Sequence, residues 1–302
     1  MILIAGGTGR LGTAVREGLE PGQVRVLTRN ASTAELIREG GSETVVGDLA
    51  DAETVSRAVV GCRAVVLAAS GFGPMGRSTP AGVDRDGNIA LIHAARTAGV
   101  EHVVLVSMHG AAPDARLQLL RMKWAAEEAL RASGVGWTIV RPTAFLETYL
   151  DAVGADLPRN GSTLVFGPGT VPVNFVSVDD VAGLVGEALR NPHLRGETVE
   201  WGGEDLTLGQ LSDALRSATG VSGPTKRIPI PALRVMALAS RPFSPFLARV
   251  ASAAVIMNTN DMTFNAAPHR ARYPGLPHTT LAEAATRWAD VHQGSVARRA
   301  GA

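Results

Sequence analysis

A glycine-rich turn directly after the first apolar run is the feature that most restricts the fold of this chain. Residues 2–5 are apolar and are followed at once by GGTGRLG at 6–12, which leads into a helical pattern. Glycines at this spacing allow a tight turn, a close approach of backbone to phosphate and close packing of helix on strand. The amides at the helix N-terminus then favour an anion. An ordinary glycine-rich turn is the alternative, but we predict a pyrophosphate site formed by Gly6, Thr8, Gly9, Arg10, Leu11 and Gly12.

Short apolar runs alternate with helical stretches through the first half of the chain. The predicted strands are 2–5, 24–28, 44–46, 64–68, 103–106 and 137–140, and the predicted helices are 11–20, 33–39, 52–60, 83–98 and 118–133. This alternation predicts βαβ units and a parallel sheet. Because the runs are apolar throughout, we expect strands that are covered on both faces.

The pattern loosens after residue 142. Strands are predicted at 163–166, 174–178 and 198–201, helices at 179–190 and 208–219, a connector at 224–231, and a mainly helical remainder with a loop near 265–279. The predicted fold class is α/β, a Rossmann-type doubly wound parallel sheet with a smaller, mainly helical C-terminal part that covers the substrate. We assign 1–155 to the dinucleotide-binding core, 156–293 to the remaining sheet elements and the covering part of one integrated unit, and 294–302 to a disordered tail.

The loops after the next strands favour NADP(H) over NAD(H). The second predicted strand ends without the acidic residue that binds the ribose 2′-hydroxyl in NAD sites, and Arg29 stands there instead. Its guanidinium could pair with a 2′-phosphate, with help from Arg10, although a solvated surface arginine is the alternative. Asp48 and Leu49 are assigned to the adenine, or Asp48 caps a helix. Ala68, Ala69 and Ser70 are small enough for backbone to pass close to the cofactor.

Composition excludes several other classes of protein. The net charge is +1, which gives no broad basic surface for nucleic acid. Cys62 is the only cysteine and the seven histidines are scattered, so we predict no disulfide and no metal site. No signal peptide or apolar run of membrane-spanning length is recognised, so the expectation is a cytoplasmic protein with no membrane partner. A homodimer is compatible with this composition.

With these motifs in place, the chain resembles the atypical short-chain dehydrogenase/reductases, specifically their NmrA-like group. The resemblance is carried by the glycine turn, Arg29, GDL at 47–49, GNIALIHAARTAGVEHVVLVS at 87–107, Lys123, TIVRPTAF at 138–145 and VSVDDVAGLV at 176–185. It covers residues 1–215 well and the rest loosely. In this superfamily a serine binds the substrate carbonyl, a tyrosine donates a proton, and a lysine four residues after the tyrosine holds the nicotinamide ribose. The resemblance assigns the serine to Ser107 and the lysine to Lys123.

The tyrosine of that family pattern is missing. Leu119 stands four residues before Lys123, and a leucine donates no proton. The resemblance leaves three proton sources: water, an acid such as Lys123 or His109, or a substrate that forms a stabilised anion, as a quinone or hydroxyaryl ketone does. We favour the third route. For Lys123 the alternative is a surface lysine paired with Glu127.

The resemblance also places backbone near the nicotinamide carboxamide at Pro142, Thr143 and Ala144. Apolar pocket walls are assigned, against core packing as the alternative, to Phe145, Tyr149, Phe243, Phe246 and Met257. The hypothesis is an NADPH-dependent reductase of a carbonyl or quinone group on an aromatic or polyketide-like small molecule, with NADPH/NADP⁺ as cofactor. A non-catalytic NADP(H) sensor is the alternative, and a nucleotide-sugar epimerase or dehydratase ranks third.

Overall fold

A seven-stranded parallel sheet organises the first of two units in the computed structural model, which describes residues 1–73 and 79–300, with side chains to His292. The unit comprises residues 1–142, 178–201 and 275–277. Its strands, numbered in chain order, are β1 (Ile2–Ala5), β2 (Val24–Thr28), β3 (Glu43–Val46), β4 (Ala64–Leu67), β5 (His102–Val106), β6 (Gly136–Pro142) and β10 (Glu197–Trp201). Their order across the sheet is β3-β2-β1-β4-β5-β6-β10, and every neighbouring pair is parallel. The predicted Rossmann-type fold is confirmed.

The helices of this unit cover the apolar strands. They are α1 (Arg10–Glu17), α2 (Ala31–Glu39), α3 (Ala52–Val59), α4 (Asn88–Thr97), α5 (Gln118–Arg131) and α8 (Val178–Arg190). All residues of β1, β4 and β5 are buried, as expected for strands covered on both faces, whereas the edge strand β3 is partly exposed. The order of the strands reverses between β1 and β4, where open α/β sheets bind ligands at the carboxyl ends of their strands.

One predicted helix begins differently. The stretch 83–98 was expected to be a single α-helix, but Ala81–Gly87 forms a π-helical segment that runs into α4. Inside it Asp84 is fully buried, and its side chain accepts the Gly71 amide at 2.8 Å. π-Helical turns are frequent at functional sites.

The second unit comprises residues 143–177, 202–274 and those from His278 onward. A three-stranded sheet runs in the order β11 (Glu204–Thr207), β9 (Pro172–Val176) and β7 (Ala144–Phe145), and β8 (Thr163–Phe166) pairs in parallel with β12 (Thr225–Ile228). Its helices are α6 (Leu146–Gly154), α7 (Leu157–Asn160), α9 (Leu208–Thr219), α10 (Ile230–Ala239), α11 (Pro245–Met257), α12 (Ala267–Ala271) and α13 (Leu281–Ala300).

The second half departs from the predicted pattern in four respects. Residues 224–231, predicted as a connector, contain β12, which the sequence did not indicate because Lys226 and Arg227 are charged. Residues 265–279, predicted as a loop, contain α12. The two units also divide the chain differently from the predicted domains, because 143–155 belongs to the second unit and 178–201 to the first. Helix α13 continues to Ala300, through most of the tail predicted as disordered, and residues 301–302 lie outside the described residues.

Candidate active site

The glycine turn has no room for larger residues. Gly6 has φ +88°, and a Cβ atom placed on it would lie 2.6 Å from the Ala69 nitrogen in the loop that follows β4. A Cβ on Gly12 would lie 2.1 Å from the Gly6 oxygen. The Gly9 amide donates to the Gly6 oxygen at 2.9 Å, and within the described chain no side chain caps α1 after Gly9. The first amides of α1 therefore face the turn as an anion-binding helix end.

A cleft of about 200 Å³ opens beside this turn. Most of the predicted cofactor residues line it together. The lining residues are Gly6, Thr8, Gly9, Leu27, Thr28, Arg29, Gly47, Asp48, Leu49, Ala68, Ala69, Ser70 and Val83. Sequence reasoning missed Leu27, Thr28, Gly47 and Val83, because only the pairing of β2 with β1 and β3 and the path of the π-helical segment bring them to this edge.

Arg29 and Asp48 lie next to each other at the cleft. Arg29 Nη1 is 3.8 Å from Asp48 Oδ2, and about half of each side chain is exposed. The Asp48 carboxylate accepts the Ala50 amide at 2.9 Å, whereas Asp51 caps α3 by accepting the Glu53 amide. Asp48 is therefore not the N-cap of α3, and its carboxylate faces the same cleft as the Arg29 guanidinium.

The other predicted cofactor residues do not line this cleft. Leu11 and Gly12 are buried in the first turn of α1, and Arg10 is exposed there. Pro142 ends β6, and its carbonyl accepts the His109 amide at 2.8 Å. Thr143 and Ala144 belong to the second unit, where the Thr143 hydroxyl donates to Asn174 Oδ1 at 2.9 Å.

Lys123 is buried and bound to the π-helical segment. Its Nζ donates to the Val106 oxygen at 2.8 Å and lies 3.0 Å from Asp84 Oδ1, in an ion pair with poor hydrogen-bond direction. The alternative of a surface lysine paired with Glu127 is wrong, since Lys123 is 5% exposed. The buried charges of Lys123 and Asp84 therefore compensate each other beside the carboxyl end of β5.

The Ser107 hydroxyl is already used as a hydrogen-bond donor. The hydroxyl donates to Glu127 Oε1 across a short contact, and both residues are buried. Glu127 also receives two bonds from Arg141, at 2.9 and 2.6 Å, and one from Arg131 at 2.9 Å. Because a serine has one O–H donor, Ser107 offers a ligand only its lone pairs in this arrangement.

The same network continues to a histidine. Arg141 Nη1 donates to Glu200 Oε1 at 3.1 Å, and Glu200 Oε2 lies 2.6 Å from His109 Nδ1. Burial acts to raise the pKa of Glu200, but hydrogen bonds from His109 and Arg141 outweigh it and hold that pKa below its usual value. The His109 side chain is 40% exposed, so an oriented imidazole stands at the carboxyl end of β5.

The predicted pocket walls fall in the second unit and have mixed surroundings. Tyr149 packs edge-on against Phe175 at 5.0 Å between ring centres, and burial raises its pKa to about 12. Met257 is in the same apolar core. Phe145 and Phe246 are half-buried. Phe243 is 89% exposed, so its assignment to a pocket wall is wrong, because it occupies the turn between α10 and α11.

The described residues fit a dinucleotide better than a metal. The glycine turn would be filled by a Cβ atom, and the helix end beside it has no side-chain cap, which suits the two phosphates of the pyrophosphate. Arg29 on the same cleft suits a third phosphate, the 2′-phosphate. The described side chains include no group of three or more His, Cys, Asp or Glu able to hold a metal ion. Across residues 1–73 and 79–300, no helix combines the length and apolarity needed to cross a bilayer.

Comparison with known proteins indicates the class of cofactor. A family model described as NAD(P)H-binding matches residues 6–192. Photosystem II assembly factor Ycf39 of Trieres chinensis is 30% identical over 78% of this chain and 74% of its own length. The NAD(P)H azoreductase of Xenophilus azovorans is 30% identical over 73% of this chain and 74% of its own length.

Solved structures share the fold. Triphenylmethane reductase of Citrobacter sp., complexed with NADP(H), superposes with a TM-score of 0.78 at 19% identity and covers 96% of this chain and all of its own. The quinone oxidoreductase QOR2 of Escherichia coli, complexed with NADPH, gives 0.76 at 22% identity, covering 95% and 99%. At these identities the match establishes the fold alone.

Proposed function

Since the chain belongs to the NAD(P)H-binding family, in its atypical short-chain dehydrogenase/reductase and NmrA-like class, we propose that it is an NADPH-dependent reductase of a quinone or carbonyl group on an aromatic small molecule. The observation that carries the proposal is the cleft at the reversal of strand order, where the glycine turn, Arg29 and Asp48 meet. Relatives and structural neighbours named as an azoreductase, a quinone oxidoreductase and a triphenylmethane reductase support this reaction class.

The residues of the cleft bind and orient the cofactor in this proposal. The amides of α1 and the glycine turn receive the pyrophosphate, and the Arg29 guanidinium pairs with the 2′-phosphate. Lys123 donates one hydrogen bond to the Val106 oxygen and forms an ion pair with Asp84, and in this proposal another of its N–H groups binds the ribose. When bound, NADPH would supply a hydride, and a residue of the chain would donate the proton.

The proton route determines which acceptors the protein can reduce. A quinone needs a hydride and one proton to become a hydroquinone, whereas a cationic triphenylmethane dye becomes neutral with the hydride alone. Leu119 offers no proton, and the Ser107 hydroxyl already donates its hydrogen bond to Glu127. In place of the stabilised anion favoured from the sequence, we propose His109 as the acid, because Glu200 orients its imidazole and its 40% exposed side chain can recover a proton from solvent.

The function is tested by NADPH oxidation against a panel of quinones, aromatic ketones and cationic triphenylmethane dyes, with NADPH binding measured separately by calorimetry. Turnover of quinones or dyes, with ketones slower, is the expected result, because a simple ketone has the greatest need for a strong proton donor. NADPH binding without turnover of any acceptor would instead favour a non-catalytic sensor, the alternative compatible with Leu119. Absence of NADPH binding would remove both functions.

A further inference from the structure

An apolar and cationic hairpin stands out in the second unit. Four of the eight exposed large apolar side chains among the described residues lie within thirteen positions of one another: Val235, Leu238, Phe243 and Leu247. They belong to α10, α11 and the turn that joins them. We name this surface the hairpin face. Monomeric proteins rarely cluster exposed apolar side chains in this way without a partner.

The hairpin face is the outer side of an ordered element. The inner sides of α10 and α11 bury Leu233, Ala248, Ala251 and Met257. Backbone hydrogen bonds from Phe243 and Ser244 to the Ser240 carbonyl, at 3.1 and 2.7 Å, hold the turn. The exposure of Phe243 therefore comes from a fixed backbone.

Charge indicates the kind of partner. Residues 214–260 contain no Asp or Glu and six Lys or Arg, in a chain whose net charge is only +1. Lys226 and Arg216 lie 3.1 and 3.9 Å from the carboxylates of Asp156 and Asp213, so the relevant cations are those of the hairpin. Two of the six, Arg234 and Arg241, are exposed on the hairpin itself. A second copy of the chain presenting the same face would bring cations against cations, which opposes self-association through it. A partner must be apolar and anionic.

We propose that the hairpin face docks onto the surface of an anionic lipid bilayer, with Leu238 and Phe243 entering the acyl boundary and Arg234 and Arg241 contacting the headgroups. Apolar side chains flanked by arginines are the usual composition of an interfacial membrane element. A projecting turn enters a bilayer readily, whereas a folded protein partner would need a matching cavity. The expectation of no membrane partner rested on the lack of an apolar run of spanning length, and surface docking requires no such run.

The test uses the full chain and vesicles of phosphatidylcholine with and without phosphatidylglycerol, measured by co-sedimentation. We expect binding to the anionic vesicles only, with weakening at high salt because headgroup contacts are screened. The double variant Leu238→Ser/Phe243→Ser and the double variant Arg234→Gln/Arg241→Gln should each reduce partitioning at least about tenfold. The matched control Leu36→Ser/Val60→Ser removes exposed apolar side chains of the first unit and should bind as the parent does.

Three outcomes would overturn the proposal. One is no binding to anionic vesicles, which would leave an acidic protein as the occupant of the hairpin face. Another is equal loss of binding in the control variant. The third is a dimer in light scattering that Leu238→Ser/Phe243→Ser converts to monomer, since the face would then join two copies. Thermal unfolding midpoints close to that of the parent establish that the variants are folded, and none of these measurements depends on the proposed reductase activity.

Discussion

Arg29 is the residue to which we assign the choice between NADPH and NADH. Its guanidinium lies at the cleft 3.8 Å from Asp48 Oδ2, and β2 ends immediately before it. In this position an acidic residue would favour the ribose 2′-hydroxyl, whereas an arginine favours a 2′-phosphate. We therefore propose that a single side chain, rather than the fold, determines this preference.

Arg29→Ala should weaken NADPH binding about tenfold to hundredfold and leave NADH binding nearly unchanged, because only NADPH loses a charge-assisted hydrogen bond. Calorimetric titration with both cofactors measures the difference. Arg38→Ala is the control, since Arg38 is an exposed residue of α2 that donates to the Thr44 hydroxyl of β3 and does not line the cleft. Equal losses for the two cofactors would contradict the 2′-phosphate role.

His109 and Glu200 form the second pair of interest at this scale. His109→Gln should slow quinone reduction about a hundredfold or more, the usual contribution of a general acid, while reduction of a cationic triphenylmethane dye stays near the parent rate. Glu200→Gln should give a smaller loss in the same direction, because it disturbs the orientation of the imidazole. Steady-state rates with the two acceptors measure the ratio. Parallel slowing of both acceptors would show that the pair acts structurally.

At the scale of elements, the βα turn between β1 and α1 is the most constrained part of the chain. Gly12 is in contact with the Gly6 carbonyl, and Gly6 is in contact with the loop that follows β4. Three elements therefore meet where side chains larger than hydrogen do not fit. This crowding requires glycine at these positions, so the turn could be recognised from the sequence motif alone.

Gly12→Ala should lower the free energy of unfolding by about 1–3 kcal/mol, the usual cost of overpacking, and should weaken NADPH and NADH alike, because both carry the pyrophosphate. Gly22→Ala is the matched control, since a Cβ there meets nothing within 4 Å. Chemical denaturation and calorimetry measure the two effects. Unchanged affinity in a folded Gly12→Ala protein would place the pyrophosphate elsewhere.

The network between α5, β6 and β10 could not be predicted from the sequence. Glu127 was visible only as a possible partner of Lys123, yet it binds Ser107, Arg131 and Arg141. Lys123 binds Asp84 instead. Spacing along one helix predicts which side chains share a face, but the partner of each is determined by which strand or helix lies opposite.

At the scale of the whole molecule, the parallel sheet buries a titratable group at the start of β5. His102 is 3% exposed, and its Nε2 lies 3.0 Å from the Thr138 hydroxyl. Burial, with repulsion from Arg195, lowers its pKa from 6.5 to about 4. The folded protein therefore keeps His102 neutral where the unfolded chain would bind a proton.

The contribution of His102 to stability is present above about pH 6.5 and is lost as pH falls towards 4, because protons then bind the unfolded state preferentially. The shift corresponds to about 3 kcal/mol. His102→Gln should flatten the dependence of the free energy of unfolding on pH across this range, as measured by denaturation at several pH values. The exposed His193→Gln is the control, and an unchanged pH dependence in His102→Gln would contradict the burial argument.

The sequence by itself determined the parallel sheet, the glycine turn and most of the residues of the cleft, because apolar runs, turn glycines and the residues after each strand are visible locally. Only the tertiary structure decided the partners of Lys123 and Glu127, the pairing of β12 with β8 and the exposure of Phe243. These depend on which distant segments pack together, and local composition carries little information about that. The substrate-covering role of the second half remains a prediction for the same reason.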